Sequence, residues 1–286
     1  MRADGKRLTN TDPMYTIISY IMEKRYDAMN MITLDIPVEP IQSYINDKRK
    51  QGIEMTHMDV IIAAYLRTAA SYPALNRFVV NKKVYARNEY AVAMVVLRPG
   101  TNNEETMSKM YFDPSYTIFQ VHDTIDKYIT ENREAPENNG TEKIMKFLLS
   151  LPGLLPIGVS VIKFLDKHGL LPKAVIDMSP FHNSMVISNL ASIRTNHIYH
   201  HIYEFGTTSM VLTMGNLREV AKRKTDGIVF ERSIPLGLVM DERICSGVYF
   251  ANAFRELKKY LKKPSLLETP PEKVVEDPGL KPKKKK

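Results

Sequence analysis

The sequence predicts an α+β chain, a mixed and largely antiparallel β-sheet with helices on one face. Three observations predict it. Helical and extended patterns alternate without a regular strand–helix–strand rhythm, as the order of the segments below shows. Arg77–Val80, Asn81-Lys82 and Lys83–Ala86 read as a tight hairpin, which implies antiparallel pairing. Val60, Ile61, Ala63, Ala64, Leu66 and Ala70 make a helix apolar nearly all round, hence buried against a sheet.

In chain order, Asp12 can cap a helix running to about Arg25, with Pro13 in its first turn. In the extended run Met29–Asp35, Met29, Met31 and Thr33 face away from Asn30, Ile32 and Leu34. Val38–Gln51 reads as a helix stopped by Gly52, and Thr56 with Asp59 as a capping box for the buried helix that ends at Pro73. His57 belongs to that helix start. Tyr90–Leu97 reads as a buried strand and Thr117–Glu131 as an amphipathic helix. Ser184–Leu190, Thr208–Met214 and Val229–Met240 read as strands, the last opened by the turn Thr225-Asp226-Gly227. A final helix, Val248–Lys262, offers Phe250, Ala251, Phe254, Leu257 and Leu261 to the core. Residues 1–11 and the proline- and lysine-rich residues 268–286 are expected to be disordered.

Of 286 residues, 44% are hydrophobic, which excludes global disorder. The single cysteine, Cys245, excludes a disulfide framework and a thiolate metal site within one chain, and suits a reducing cytoplasm. The net charge of +8 is concentrated at the end: without the last five lysines, 35 basic side chains face 32 acidic ones. A nucleic-acid partner is therefore not expected. No apolar h-region opens the chain. Phe147–Ile162 is sixteen residues without a charge, short of the roughly 18–20 a spanning helix needs and broken by Pro152 and Pro156. An apolar insertion over about 142–175 is expected, two short helices packed on the body or at a pocket mouth, with membrane contact as the lesser alternative. No glycine-rich phosphate loop supports nucleotide hydrolysis or dinucleotide binding.

Five segments in order resemble the catalytic domain of the 2-oxo-acid dehydrogenase acyltransferases and the related chloramphenicol acetyltransferase. They are Asp12-Pro13-Met14; Asp59–Ala64 through Tyr72-Pro73-Ala74-Leu75-Asn76; Val186-Ile187-Ser188-Asn189-Leu190; Asp241-Glu242-Arg243-Ile244-Cys245-Ser246-Gly247; and Lys263–Leu267. The resemblance spans residues 12–267. It implies a two-layer sandwich, a homotrimer with active sites between subunits, and transfer of an acyl group from acyl-coenzyme A to a thiol or hydroxyl acceptor, with no tightly bound cofactor and no metal. Ser179–His182 and Tyr199–Gly206 resemble free-standing members of the family, for which no lipoyl domain is expected.

Family chemistry uses a histidine as proton acceptor and a hydroxyl that donates to the developing oxyanion. Ser188 matches the hydroxyl. The histidine position is Glu242, and Ser246 replaces the motif's second aspartate. Three readings follow: Glu242 is the base, given a dry channel and no close cation; His200 or His201 has taken the role across a subunit contact; or the chain is a catalytically inactive trimeric scaffold or binding protein. Against each stands a plainer one: Ser188 as a core hydroxyl, Glu242 paired with Arg243 or a neighbour at the surface, Cys245 as a small buried apolar group, and His200 and His201 on opposite faces of a strand, unable to share an ion.

Overall fold

The computed structural model describes residues 2–97, 105–134 and 153–280. In chain order the elements are β1 Gly5–Arg7, α1 Pro13–Ile21, β2 Met29–Pro37, α2 Val38–Lys50, α3 His57–Ser71, β3 Arg77–Val80, β4 Lys83–Arg87, β5 Tyr90–Leu97, β6 Glu105–Phe112 and α4 Ile118–Glu134. After these come α5 Leu154–His168, α6 Lys173–Met178, β7 Met185–Asn189, β8 Met210–Met214, β9 Arg218–Lys224, β10 Gly227–Asp241 and α7 Gly247–Lys262.

The large sheet has the order β2-β10-β8-β7-β5-β6, with β9 paired to the first half of β10. Only β5–β7 and β7–β8 are parallel; the other pairs are antiparallel, as the hairpin pattern predicts. A small sheet, β1-β4-β3, flanks it. The β3–β4 turn places Asn81 and Lys82 at positive φ (49° and 60°), as a two-residue hairpin of right-handed twist requires.

Helices α2, α3, α4 and α7 cover one face of the large sheet. Alternation along the strands sends Leu34, Ile36, Met185, Ile187, Leu212, Leu236 and Leu238 into a core with Ile61, Ile62, Ile118 and Leu261. Each such side chain stabilises the fold by about 1.5–3 kcal/mol. The Thr56–Asp59 capping box fixes the start of α3, and Asp12 accepts from the Met14 amide at the start of α1. On α7, Ala253 rather than Ala251 takes the buried position. The strands β6 and β9 have no counterpart in the sequence reading, because their polar alternation resembles loop composition.

Both ends of the chain correct the expected disorder. Strand β1 pairs with β4, and Gly5 packs so tightly that a Cβ there would lie 2.7 Å from the Phe78 ring. Over 268–280, Arg77 clasps Asp277 (2.6 and 2.7 Å), and the Val275 amide donates to Ala70 O. Composition flags proline and charge as loop-like. It cannot register a buried arginine–carboxylate fork whose partners lie 200 residues apart. Residues 281–286 lie outside the described residues, as does the first part of the predicted insertion through Pro152.

The described remainder of that insertion is α5, with Pro156 tolerated in its first turn, followed by α6. Contrary to expectation, Ile157, Val161 and Phe164 of α5 are exposed rather than packed on the body. What ties α5 down is polar. Its Asp166 receives the Arg2 guanidinium at 2.6 Å, and Arg2 also holds Asp4. Burial alone would raise the Asp166 carboxyl. The His182 imidazole, 3.2 Å away though off the N–H line, and Arg2 bring it down to about 2. A carboxyl depressed by folding stabilises above its unfolded pKa, and that stability is lost as pH falls through the folded value. Acid titration of wild type is therefore expected to lose on the order of 2 kcal/mol between about pH 4 and pH 2 that Asp166→Asn does not lose. Superimposable acid limbs in urea unfolding would refute this.

Candidate active site

Ser188 sits on β7, where the register aligns it with Thr213 on β8, Gly237 on β10 and Thr33 on β2. These four form a row across the sheet face opposite the helices, the face on which Val186, Val211 and Val239 pack with Ile202. Among the described residues, no helix covers this row. A strap without regular structure, residues 194–206, crosses it instead. Thr213 Oγ1 donates to Ile198 O (2.5 Å), while His197 Nε2 and Tyr199 OH meet Thr33 Oγ1 at 3.0 and 2.6 Å. Gly237 makes the crossing possible, since a Cβ there would lie 2.5 Å from Ile198 O. Ser188 is half-buried, and among the described residues its hydroxyl forms no hydrogen bond.

Glu242 follows the end of β10. Its amide donates to Ala28 O, and its carboxylate accepts from Asn30 Nδ2 at 2.6 Å. Arg243 does not pair with it. That guanidinium forks onto fully buried Asp241 (2.8 and 2.7 Å) and donates to Met22 O and Glu23 O. Buried Arg25 approaches the same carboxylate, its Nε 3.7 Å from Oδ2, and donates to the carbonyls of Tyr203, Gly206 and Val79. Asp241, Arg243 and Arg25 thus pin the turn, leaving Glu242 with no cation within ion-pair distance among the described residues. Ser246 caps α7 by accepting from the Tyr249 amide. Cys245 is buried, and burial pushes its thiol well up, so it is a packing group rather than a nucleophile.

Within one subunit Ser188 and Glu242 do not meet. The four residues from Gly237 to Asp241 span about 13 Å along β10 and two strand spacings add about 10 Å across, so the backbones at Ser188 and Asp241 are about 16 Å apart, beyond the combined reach of the two side chains. His200 and His201 lie on the strap rather than on a strand, and this corrects the expected divergence of their side chains. The rings stack at 4.7 Å and 25°, with His200 Nδ1 on His201 O at 2.8 Å. Sequence reasoning did not single out Thr213, Thr33, Asn30 or Arg25 for the site, since their roles depend on partners far along the chain. Among the described residues, no three His, Cys, Asp or Glu side chains gather as a metal site needs.

The topology and the match to known structures decide the class. A probable dihydrolipoamide acetyltransferase from Listeria monocytogenes 4b F2365 superposes with a TM-score of 0.57 at 13% identity, over 88% of this chain and 89% of that one. The dihydrolipoamide acetyltransferase of Azotobacter vinelandii gives 0.59 at 11% identity, over 89% and 88%. A chloramphenicol acetyltransferase gives 0.54 at 9%, over 90% and 100%. The chain has the 2-oxoacid dehydrogenase acyltransferase fold. Residues 178–269 match the family model described as 2-oxoacid dehydrogenases acyltransferase (catalytic domain), a stretch that holds Ser188, the strap and the Asp241–Gly247 turn of this acyltransferase fold. No curated protein matches the chain in sequence. The Azotobacter structure addresses the catalytic role of a serine, a histidine and an asparagine of that enzyme. No helix among the described residues is long and apolar enough to cross a membrane.

Proposed function

We propose that the protein transfers an acyl group from acyl-coenzyme A to a thiol or hydroxyl acceptor, with Glu242 of one copy as proton acceptor and Ser188 of another as oxyanion donor. One observation carries this reading: among the described residues, a hydroxyl and a carboxylate at the two motif positions are both uncommitted to ion pairs or core hydrogen bonds, and they stand at opposite ends of one sheet. They come together only across a contact between copies. Exposed apolar groups at the sheet margin support such a contact, with Met31 on β2 and Ile228 and Phe230 at the β9–β10 tip. A homotrimer is the assembly we assign, by analogy with the fold.

In the step itself, Glu242 takes the proton of the acceptor as its sulfur or oxygen attacks the thioester carbonyl. Ser188 donates to the oxygen that becomes negative. Collapse of the tetrahedral intermediate breaks the carbon–sulfur bond, and Glu242 passes its proton to the departing sulfur, so that coenzyme A leaves as the thiol and the carboxylate is restored. His200 and His201 lie on the strap and are the other candidates for proton acceptor, which makes their replacement a necessary control.

Acetyl-coenzyme A with a dithiol acceptor is the assay, alongside sizing of the purified chain. Glu242→Gln is expected to lower kcat by about 10²–10⁴-fold with the assembly unchanged, while the His200→Gln/His201→Gln double variant stays within a few-fold of wild type. Full activity in Glu242→Gln would discard the carboxylate base. A stable trimer without turnover would instead establish the second reading, a scaffold, which is favoured by Ser246 being spent as a helix cap where the motif has a carboxylate.

A further inference from the structure

A cavity of about 300 Å³ lies away from the Ser188 row, between the β3–β4 turn, helix α5 and the end of the strap. Its walls carry Lys24, Arg25, Lys82, Lys163, Lys167 and Arg243, against three acids. Each acid is already engaged. Glu23 holds Lys82, Asp166 holds Arg2, and Glu204 accepts from the Arg25 amide at 2.7 Å. Lys24, Lys163 and Lys167 form no ion pair among the described residues. Lys163 and Lys167 are one helical turn apart on α5 and so present two ammonium groups on one side of it.

Arg25 lines the cavity as a buried cation, 3% exposed in its side chain and held in place by the carbonyls of Tyr203, Gly206 and Val79. Uncompensated lysines around a concave site favour an anion with several oxygens, which spreads charge over several donors at once.

We infer that this cavity is a second binding site, for a phosphate-bearing group, distinct from the Ser188 and Glu242 positions. It draws on α5 and the hairpin turn. It therefore stands whether or not the chain transfers acyl groups. The phosphate arrives on a small soluble molecule or on an anionic lipid headgroup, whose chemistry at the site is the same. The exposed apolar residues Ile157, Val161 and Phe164 of the same helix make the second source worth separating from the first.

The test titrates the full-length protein with inorganic pyrophosphate by calorimetry, and separately sediments it with vesicles of pure phosphatidylcholine or of equal parts phosphatidylcholine and phosphatidylglycerol. Lys163→Ala/Lys167→Ala is expected to weaken pyrophosphate binding roughly tenfold or more, and added salt to weaken it in wild type. Lys262→Ala/Lys263→Ala, outside the cavity, and Glu242→Gln are expected to bind as wild type does. Sedimentation with the anionic vesicles alone, lost in the α5 double variant, would assign the group to a lipid. Pyrophosphate binding without sedimentation would assign it to a soluble molecule. Absence of both, or either one persisting unchanged in the α5 double variant, overturns the site.

Discussion

Ser188→Ala is expected to reduce acyl transfer by about 10²–10³-fold in kcat, a loss of about 2.7–4 kcal/mol of transition-state stabilisation, with the fold intact. The magnitude follows from what the hydroxyl does not do. Among the described residues it holds no neighbour in place, so its removal leaves no buried partner unsatisfied and stability should change little. Its worth lies in donating where charge develops. Thr213, in the same row, shows the contrast. Its hydroxyl is spent on the strap at Ile198, and its loss should cost stability before rate. Kinetics of Ser188→Ala on acetyl-coenzyme A, with thermal unfolding in parallel, separate the two roles. An unchanged kcat would remove Ser188 from the mechanism.

Asp241→Asn is expected to destabilise the fold by about 3–5 kcal/mol, because it leaves two guanidinium groups in the interior without their counter-charge. Asp241 is 0% exposed, and Arg25 and Arg243 are each 3% exposed. Burial alone lowers the Arg243 pKa, and the forked bonds to Asp241 reverse that shift, whereas Arg25, lacking such a fork, stays lowered. The same three side chains tie together α1, the strap and the turn before α7, so the damage is not local. Urea unfolding of wild type and variant measures it. A change under about 1 kcal/mol would mean that water or a rearranged partner compensates the pair.

The elements with strong periodicity were legible before any coordinates. Helix α3, the β3–β4 hairpin, the inward face of β2 and the strand bearing Ser188 need only local spacing and turn chemistry, and each is found within a few residues of its expected bounds. Strands β6 and β9, the short β1 and the packed segment 268–280 were not legible. The polar composition of β6 and β9 resembles a loop, while β1 and 268–280 are placed by partners far along the chain, such as Arg87 for Gly5 and Arg77 for Asp277. At the candidate site, the motif residues Ser188 and Glu242 could be named from sequence. Of the two partners expected for Glu242, Arg243 or a surface neighbour, the second is found: Asn30 donates to Glu242, while Arg243 points the other way onto buried Asp241.

By itself, then, the sequence determined the secondary-structure alphabet, the fold class and the two positions, 242 and 246, at which it departs from the motif it resembles, since all of these depend on residue type and short-range order. Only the tertiary structure decided that, among the described residues, Glu242 carries no counter-ion, Ser188 has an unspent hydroxyl and a strap rather than a helix lies on their face of the sheet, and that lysines of the insertion line a cavity. Those are matters of which charges and hydroxyls remain unpaired once distant segments have packed. Coulombic and hydrogen-bond pairing acts through space, over separations that no pattern along the chain encodes.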